Sequence, residues 1–115
     1  MKKAGQIALL HFPFTDLSVS KLRPVVLLRK LPGEYDDWLV CMISSRIDQY
    51  VEGLDEIIDD DSDDFLLSGL KFVSVIRTTR LAVVERNNLI GMIGEISQDR
   101  LFRIKHNLSE WIRSS

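Results

Sequence analysis

Residues 11–28 read HFPFTDLSVSKLRPVVLL. A strand-like start meets Phe12-Pro13-Phe14, a polar segment follows with one acid, Asp16, and Lys21-Leu22-Arg23-Pro24 then runs straight into an apolar stretch. The residue before a proline is pushed to an extended backbone, so Arg23 leaves a stiff stem where the loop becomes a strand. A guanidinium there is aimed at little entropic cost and matches two phosphate oxygens at once. The competing reading is an Arg23–Asp16 salt bridge that holds the loop. The residues by themselves leave both open.

Outward from this junction, short runs rich in Val, Ile and Leu at 6–12, 24–30 and 38–44 are separated by Pro, Gly, Ser or Asp clusters, and each predicts a strand. Pro32-Gly33 marks a turn, lengthened by Asp36-Asp37. A fourth strand is expected within 51–58. Residues 71–84, KFVSVIRTTRLAVV, alternate more cleanly, with Val73, Val75, Leu81 and Val83 on one face and Arg77 and Thr79 amid them. A shorter strand is expected over 89–96. From Ser97 the period becomes helical: Leu101, Ile104, Leu108, Trp111 and Ile112 form a stripe behind a Ser97 N-cap, with Asp99 in the first turn. Strands closed by one helix predict a mainly β fold, a small curved antiparallel barrel or open sheet, in a single domain over 1–115.

The hydrophobic share of 45% is enough for a core without disulfides or a structural metal. The one cysteine, Cys41, sits inside WLVCMI and reads as a buried small hydrophobe. Without a disulfide partner it favours a reducing compartment, and no run approaches the roughly 20 apolar residues of a membrane helix. A cytoplasmic protein with no membrane partner is expected. Net charge is −2, but seven of the 17 acids fall within residues 55–64, leaving ten against 15 Lys and Arg, a balance of +5 for the remainder. Local field decides polyanion binding, so nucleic acid stays in play. The acidic run itself is expected as a strand end over 55–58 followed by a solvated, extended loop over 59–64 at the rim of the site.

Few residues offer other chemistry. The DDDSDDFLLSGL stretch has the acidity of a calcium loop, but Asp64 falls where glycine is needed and Leu70 where the bidentate glutamate belongs. His11 and His106 lack Cys or His at zinc-ligand spacing. No metal and no cofactor is expected. As an acid–base pair the two histidines fit poorly, because His106 lies off the helical stripe. His11 alone is a candidate for proton transfer, histidine being the side chain that changes charge near neutral pH. Ser44-Ser45 ends the buried run WLVCMI and brings hydroxyls to a strand end, where serines also serve as turn formers. Lys21, Arg46, Arg77 and Arg80 are candidates for phosphate contacts, and Phe14 or Trp38 for base stacking; for both aromatics a core position is the alternative.

Together, GQIALLHFPFTDLSVSKLRPVVLL resembles the N-terminal signature of the MazF/PemK family of toxin endoribonucleases: a strand, an F-P-F-T-D-like turn, a loop, then K-x-R-P and a Val/Leu-rich strand. CMISS at the end of the third strand, SVIRTTRL in the long later strand, and the closing helix continue the likeness over nearly the whole chain. The resemblance implies a small barrel of the Src-homology-three type, homodimers, metal-independent cleavage of single-stranded RNA (mRNA) at short motifs, and a cognate antitoxin as partner. It assigns the catalytic roles to Arg23 and Ser44. Two departures stand out. The family's usual threonine is Ser44 here, which keeps the hydroxyl and loses the methyl that stiffens its rotamer. The acid that some members carry before R-P has no counterpart in residues 17–22. A non-catalytic binding protein of the same fold, like the gyrase-poisoning relatives that use the end of the C-terminal helix, is the alternative; Trp111-Ile112 occupies that place.

Overall fold

The structure is a computed structural model and describes residues 2–12 and 21–114. Six antiparallel strands form one curved sheet: β1 (Gln6–Phe12), β2 (Lys21–Lys30), β3 (Trp38–Ser44), β4 (Glu56–Ile58), β5 (Ser74–Val84) and β6 (Leu89–Glu95). Their order across the sheet is β4-β5-β3-β2-β1-β6. A single helical turn, α1 (Phe65–Ser68), links β4 to β5, and the helix α2 (Gln98–Arg113) closes the chain. The expected curved sheet with one C-terminal helix therefore forms, and the sheet remains open. Of the expected fourth strand only Glu56–Ile58 pairs, because the chain turns just before it, the Val51 carbonyl accepting the Leu54 and Asp55 N–H groups.

The apolar run Val25–Leu28 is buried on both faces of the sheet, so it reads as a continuous stretch rather than an alternation. Val26 and Leu28 join Ile7, Cys41, Ile43, Ile58 and Ile76 beneath Leu101, Ile104 and Leu108 of α2. Val25 and Leu27 face the other way, with Ala8, Leu10, Trp38, Val40 and Val84. Trp38 is thus core, its indole N–H donating to Asp36 Oδ1 at 2.8 Å. Ser97 caps α2 as expected: its Oγ accepts the Arg100 N–H at 3.2 Å, a contact worth about 1 kcal/mol. The helical stripe ends earlier than its spacing suggests. Leu108 is its last buried member, and Trp111 and Ile112 are exposed. Among the described residues no helix is long and apolar enough to cross a membrane.

Two irregularities shape the sheet. In β5, Leu81 pairs with Cys41 but Arg77 pairs with Met42, so three residues, Thr78–Arg80, are extra. An extra odd number of residues reverses the alternation, and Ile76 and Leu81 consequently face the same core. The single face predicted for Val75 and Leu81 is corrected by this bulge. It forms because the Thr78 N–H donates to the buried Asp55 carboxylate at 3.0 Å. At the other end of the sheet, α1 crosses from the β4 side to pack on β6. The fit is tight: a Cβ on Gly94 would overlap the backbone of Leu67 and Ser68, and one on Gly69 would overlap the Ile93 carbonyl. Gly69 also needs its left-handed backbone, φ +73°, to end α1. The Gly94 position thus answers to close packing, as an isolated strand glycine suggests.

The acidic segment differs from expectation. Asp60, Asp61 and Asp63 are exposed, but Asp55 and Asp64 are buried at 4% and 3% exposure. Asp55 accepts N–H groups from Val51 and Thr78 and lies 3.5 Å from the Arg77 guanidinium. Asp64 takes the fork of Arg100, with Nε to Oδ2 at 2.8 Å and Nη2 to Oδ1 at 3.1 Å. Between them Glu56 joins Arg100 and Arg103. Asp59 closes a turn, its Oδ1 accepting from Asp61 N–H and the Ser62 hydroxyl. A segment whose charges find guanidiniums far along the chain folds, and self-repulsion does not keep it extended.

Candidate active site

The ladder between β2 and β3 stops at Val25–Met42, beside Pro24, which has no N–H to contribute. Before that point β2 pairs only with β1, through Pro24–Leu9, Arg23–Leu10 and Lys21–Phe12. A gap therefore opens between the start of β2 and the end of β3. Carrying the register two residues further sets Arg23 against Ser44 across it. Both residues line one open cleft of about 570 Å³, together with Lys21, Ser45, Lys71 and Phe72, over an apolar floor that includes Leu9, Ile43 and Ile93. The cleft lies at the seam where α1 meets β6, since Gly69 and Leu70 form part of its wall.

Among the described residues no carboxylate pairs with Lys21, Arg23 or Lys71, whereas Arg46, Arg77, Arg100, Arg103 and Arg113 all have acidic partners. The cleft thus holds cationic side chains whose charge is not cancelled by any acid among the described residues. Ser44 Oγ accepts the Arg46 N–H at 3.0 Å. That is the turn-forming role expected of a strand-end serine, and it leaves the hydroxyl hydrogen available to donate into the gap.

The remaining candidates are dispersed. Arg46 follows the Ser44 turn and forms a bidentate pair with Asp48, at 3.2 and 3.1 Å. Hydrogen bonding to Asp48 raises the Arg46 pKa, and the same bond holds the Asp48 carboxyl below its usual range. Arg77 is held by Asp55 and by Gln49, whose Oε1 accepts at 2.7 Å, so it braces the chain that follows Ser44. Arg80 is exposed on the β5 bulge and is not among the residues lining the cleft. His11 stands opposite Leu22 on β1, and strand alternation puts it on the other face from Leu10 and its partner Arg23. Phe14, and Asp16 with it, lie outside the described residues. His106 stacks on Phe102 of α2, ring centroids 6.2 Å apart. Cys41 is fully buried, which pushes its thiol up to about 12 with help from the Asp55 charge; it is inert packing. Asp59, Asp60 and Asp61 form a tight carboxylate group, but none of them lines the cleft.

Sequence reasoning did not pick out Lys71 and Phe72. They read as the first residues of a strand, yet β5 begins at Ser74. The signal was Ser68-Gly69 just upstream: a helix stop there leaves Lys71-Phe72 as the exposed connection into the strand.

A family model for PemK-like, MazF-like toxins of type II toxin–antitoxin systems matches residues 3–112. The chain belongs to this toxin family. Solved structures agree in fold. An endoribonuclease in complex with its cognate antitoxin from a mycobacterial species superposes with a TM-score of 0.70 at 8% identity, covering 97% of this chain and 95% of that one. The Mycobacterium tuberculosis toxin MazF-mt6 gives 0.69 at 15% identity, with 96% and 98% covered. The MazE–MazF complex of Deinococcus radiodurans gives 0.68 at 17%, with 99% and 97% covered. No curated protein matches the chain in sequence.

Proposed function

We propose that this MazF/PemK-family toxin is an endoribonuclease that cuts single-stranded RNA by transesterification, with Arg23 and Ser44 as its catalytic residues. The observation that carries the reading is their position: an arginine without an acidic partner among the described residues faces a strand-end hydroxyl across the gap that Pro24 leaves in the sheet.

RNA brings its own nucleophile. The 2′-hydroxyl oxygen attacks the adjacent phosphorus, the bond to the 5′-oxygen breaks, and the products are a 2′,3′-cyclic phosphate and a 5′-hydroxyl. One proton leaves the 2′-oxygen and one reaches the departing 5′-oxygen. Negative charge builds on the non-bridging oxygens in between, where a guanidinium stabilises it electrostatically. Arginine remains protonated, so this is its role rather than that of a base. The Ser44 hydroxyl, its oxygen already engaged by the Arg46 N–H, donates to the phosphate and fixes its orientation. Lys21 offers a further cation for the flanking backbone.

Because the nucleophile and the charge stabiliser are both accounted for, cleavage is expected to persist in excess EDTA, to leave cyclic or 3′-phosphate ends, and to stop when the ribose at the cut site is 2′-deoxy. Activity abolished by EDTA would overturn the mechanism. From the relatives' complexes we extend two further readings to this chain: binding by a cognate antitoxin and, from the family resemblance, homodimerisation. Sedimentation is expected to give twice the 13.2 kDa chain mass, and a monomer at micromolar concentration would refute the dimer. The exposed Trp111 and Ile112 at the end of α2 favour the second reading, a binding protein without catalysis; RNA left intact by the purified protein would select it.

A further inference from the structure

Phe72 is 71% exposed, and it lines the same cleft as Arg23 and Ser44. A large apolar ring that solvent reaches on most sides contributes little to the core, so its presence beside three cations with no acidic partner among the described residues calls for another explanation. The segment that carries it is held on both sides. Ser68 Oγ accepts the Leu70 N–H at 3.1 Å, and the buried Ser74 hydroxyl donates to the Phe72 carbonyl at 2.8 Å. Upstream, the left-handed Gly69 lies against the Ile93 carbonyl with no room for a side chain. The ring is therefore exposed but presented from a fixed backbone, so ordering it on a ligand costs little beyond its own side-chain freedom. Lys71 precedes it, and Lys21 lines the same cleft.

An exposed aromatic flanked by cations is the combination that holds single-stranded nucleic acid: the ring takes a base face and the ammonium groups take phosphates on either side. We propose that Phe72 is the platform on which an unpaired base next to the scissile phosphate stacks, with Lys71 and Lys21 on the flanking phosphates. This inference rests on the cleavage reading above for its substrate class, and it adds a positioning residue outside the Arg23–Ser44 pair. Stacking tolerates any base, because every base has a π-face, so Phe72 supplies affinity and placement rather than sequence choice.

The test uses a mixed-sequence single-stranded oligonucleotide with 2′-O-methyl riboses, which lacks the nucleophile and stays intact. Phe72→Ala is expected to bind it about 10- to 100-fold more weakly than the parent, while Phe72→Trp retains binding and its indole fluorescence is quenched on titration. On an abasic oligonucleotide of the same length the parent and Phe72→Ala are expected to bind alike. With cleavable RNA, Phe72→Ala is expected to raise KM more than it lowers kcat. Because the side chain is mostly exposed, the variant is expected to fold normally. Binding of the base-bearing oligonucleotide within twofold of the parent would overturn the platform, even where cleavage depends on Arg23. Base-dependent binding through Phe72 by a protein that does not cut RNA would instead overturn the cleavage reading and leave the platform standing.

Discussion

Arg23→Ala is expected to lower RNA cleavage about 100- to 1,000-fold, as the loss of a preorganised donor to the transition state does, with the thermal midpoint unchanged. The two readouts separate catalysis from architecture. Arg23 is exposed at the mouth of the cleft and pairs with no carboxylate among the described residues, so its removal strands no buried charge. Ser44→Ala is expected to be severe as well, since it removes both the hydroxyl in the gap and the acceptor for the Arg46 N–H. Ser44→Thr restores both and is expected to keep activity. Lys cannot stand in for Arg23 if two phosphate oxygens are gripped at once, so Arg23→Lys should fall well below the parent. Near-parental rates in Arg23→Ala would dismiss the mechanism, and a large drop in thermal midpoint would assign Arg23 to holding the loop instead.

How much of this was legible in the sequence follows from what each feature depends on. Strands β1, β2, β3 and β6 and the helix α2 rest on local patterns: apolar runs bounded by turn residues, and a serine cap ahead of a helical period. Arg23 was legible for the same reason, because Pro24 dictates its backbone through a neighbour. Its approach to Ser44 was not. That depends on the register of β2 against β3, which a single sequence does not print. The β5 bulge escaped because its cause is Asp55, 23 residues away, taking the Thr78 N–H out of the ladder. The acidic segment escaped by the same kind of distance. Seven acids in ten positions look like a solvated loop until their partners are known, and Arg100 lies 36 residues beyond Asp64. Charge density in a sequence therefore indicates exposure only where no distant counter-charge is placed to meet it.

That buried meeting of charges yields the largest expected effect on stability. Arg100 is 6% exposed and spends its donors on Asp64, Glu56 and the Ile57 carbonyl, tying α2 to β4 and to the start of α1. Truncating one member of a buried pair leaves the other charge enclosed, at a cost of roughly 3–5 kcal/mol. For a chain of this size, Arg100→Ala should lower the thermal midpoint by roughly 10–20 °C. Replacing both Arg100 and Asp64 with apolar residues of similar volume should recover much of that loss, because no lone charge remains. Equal destabilisation by the single and double variants would refute a charge-pair origin. Acid provides an independent check. Burial alone would raise the Asp64 carboxyl, but hydrogen bonds from the Arg100 guanidinium and the Ser97 N–H outweigh it and hold the group below its usual range. A carboxyl lowered on folding stabilises the native state fully above its unfolded value, about 3.9, and loses that contribution as pH falls through the lower folded value. Resistance of the parent to urea should therefore fall steeply below about pH 4, and Asp64→Asn, less stable at pH 7, should show a shallower acid slope. Parallel slopes for the two proteins would place the acid sensitivity in other carboxylates and remove Asp64 from the account.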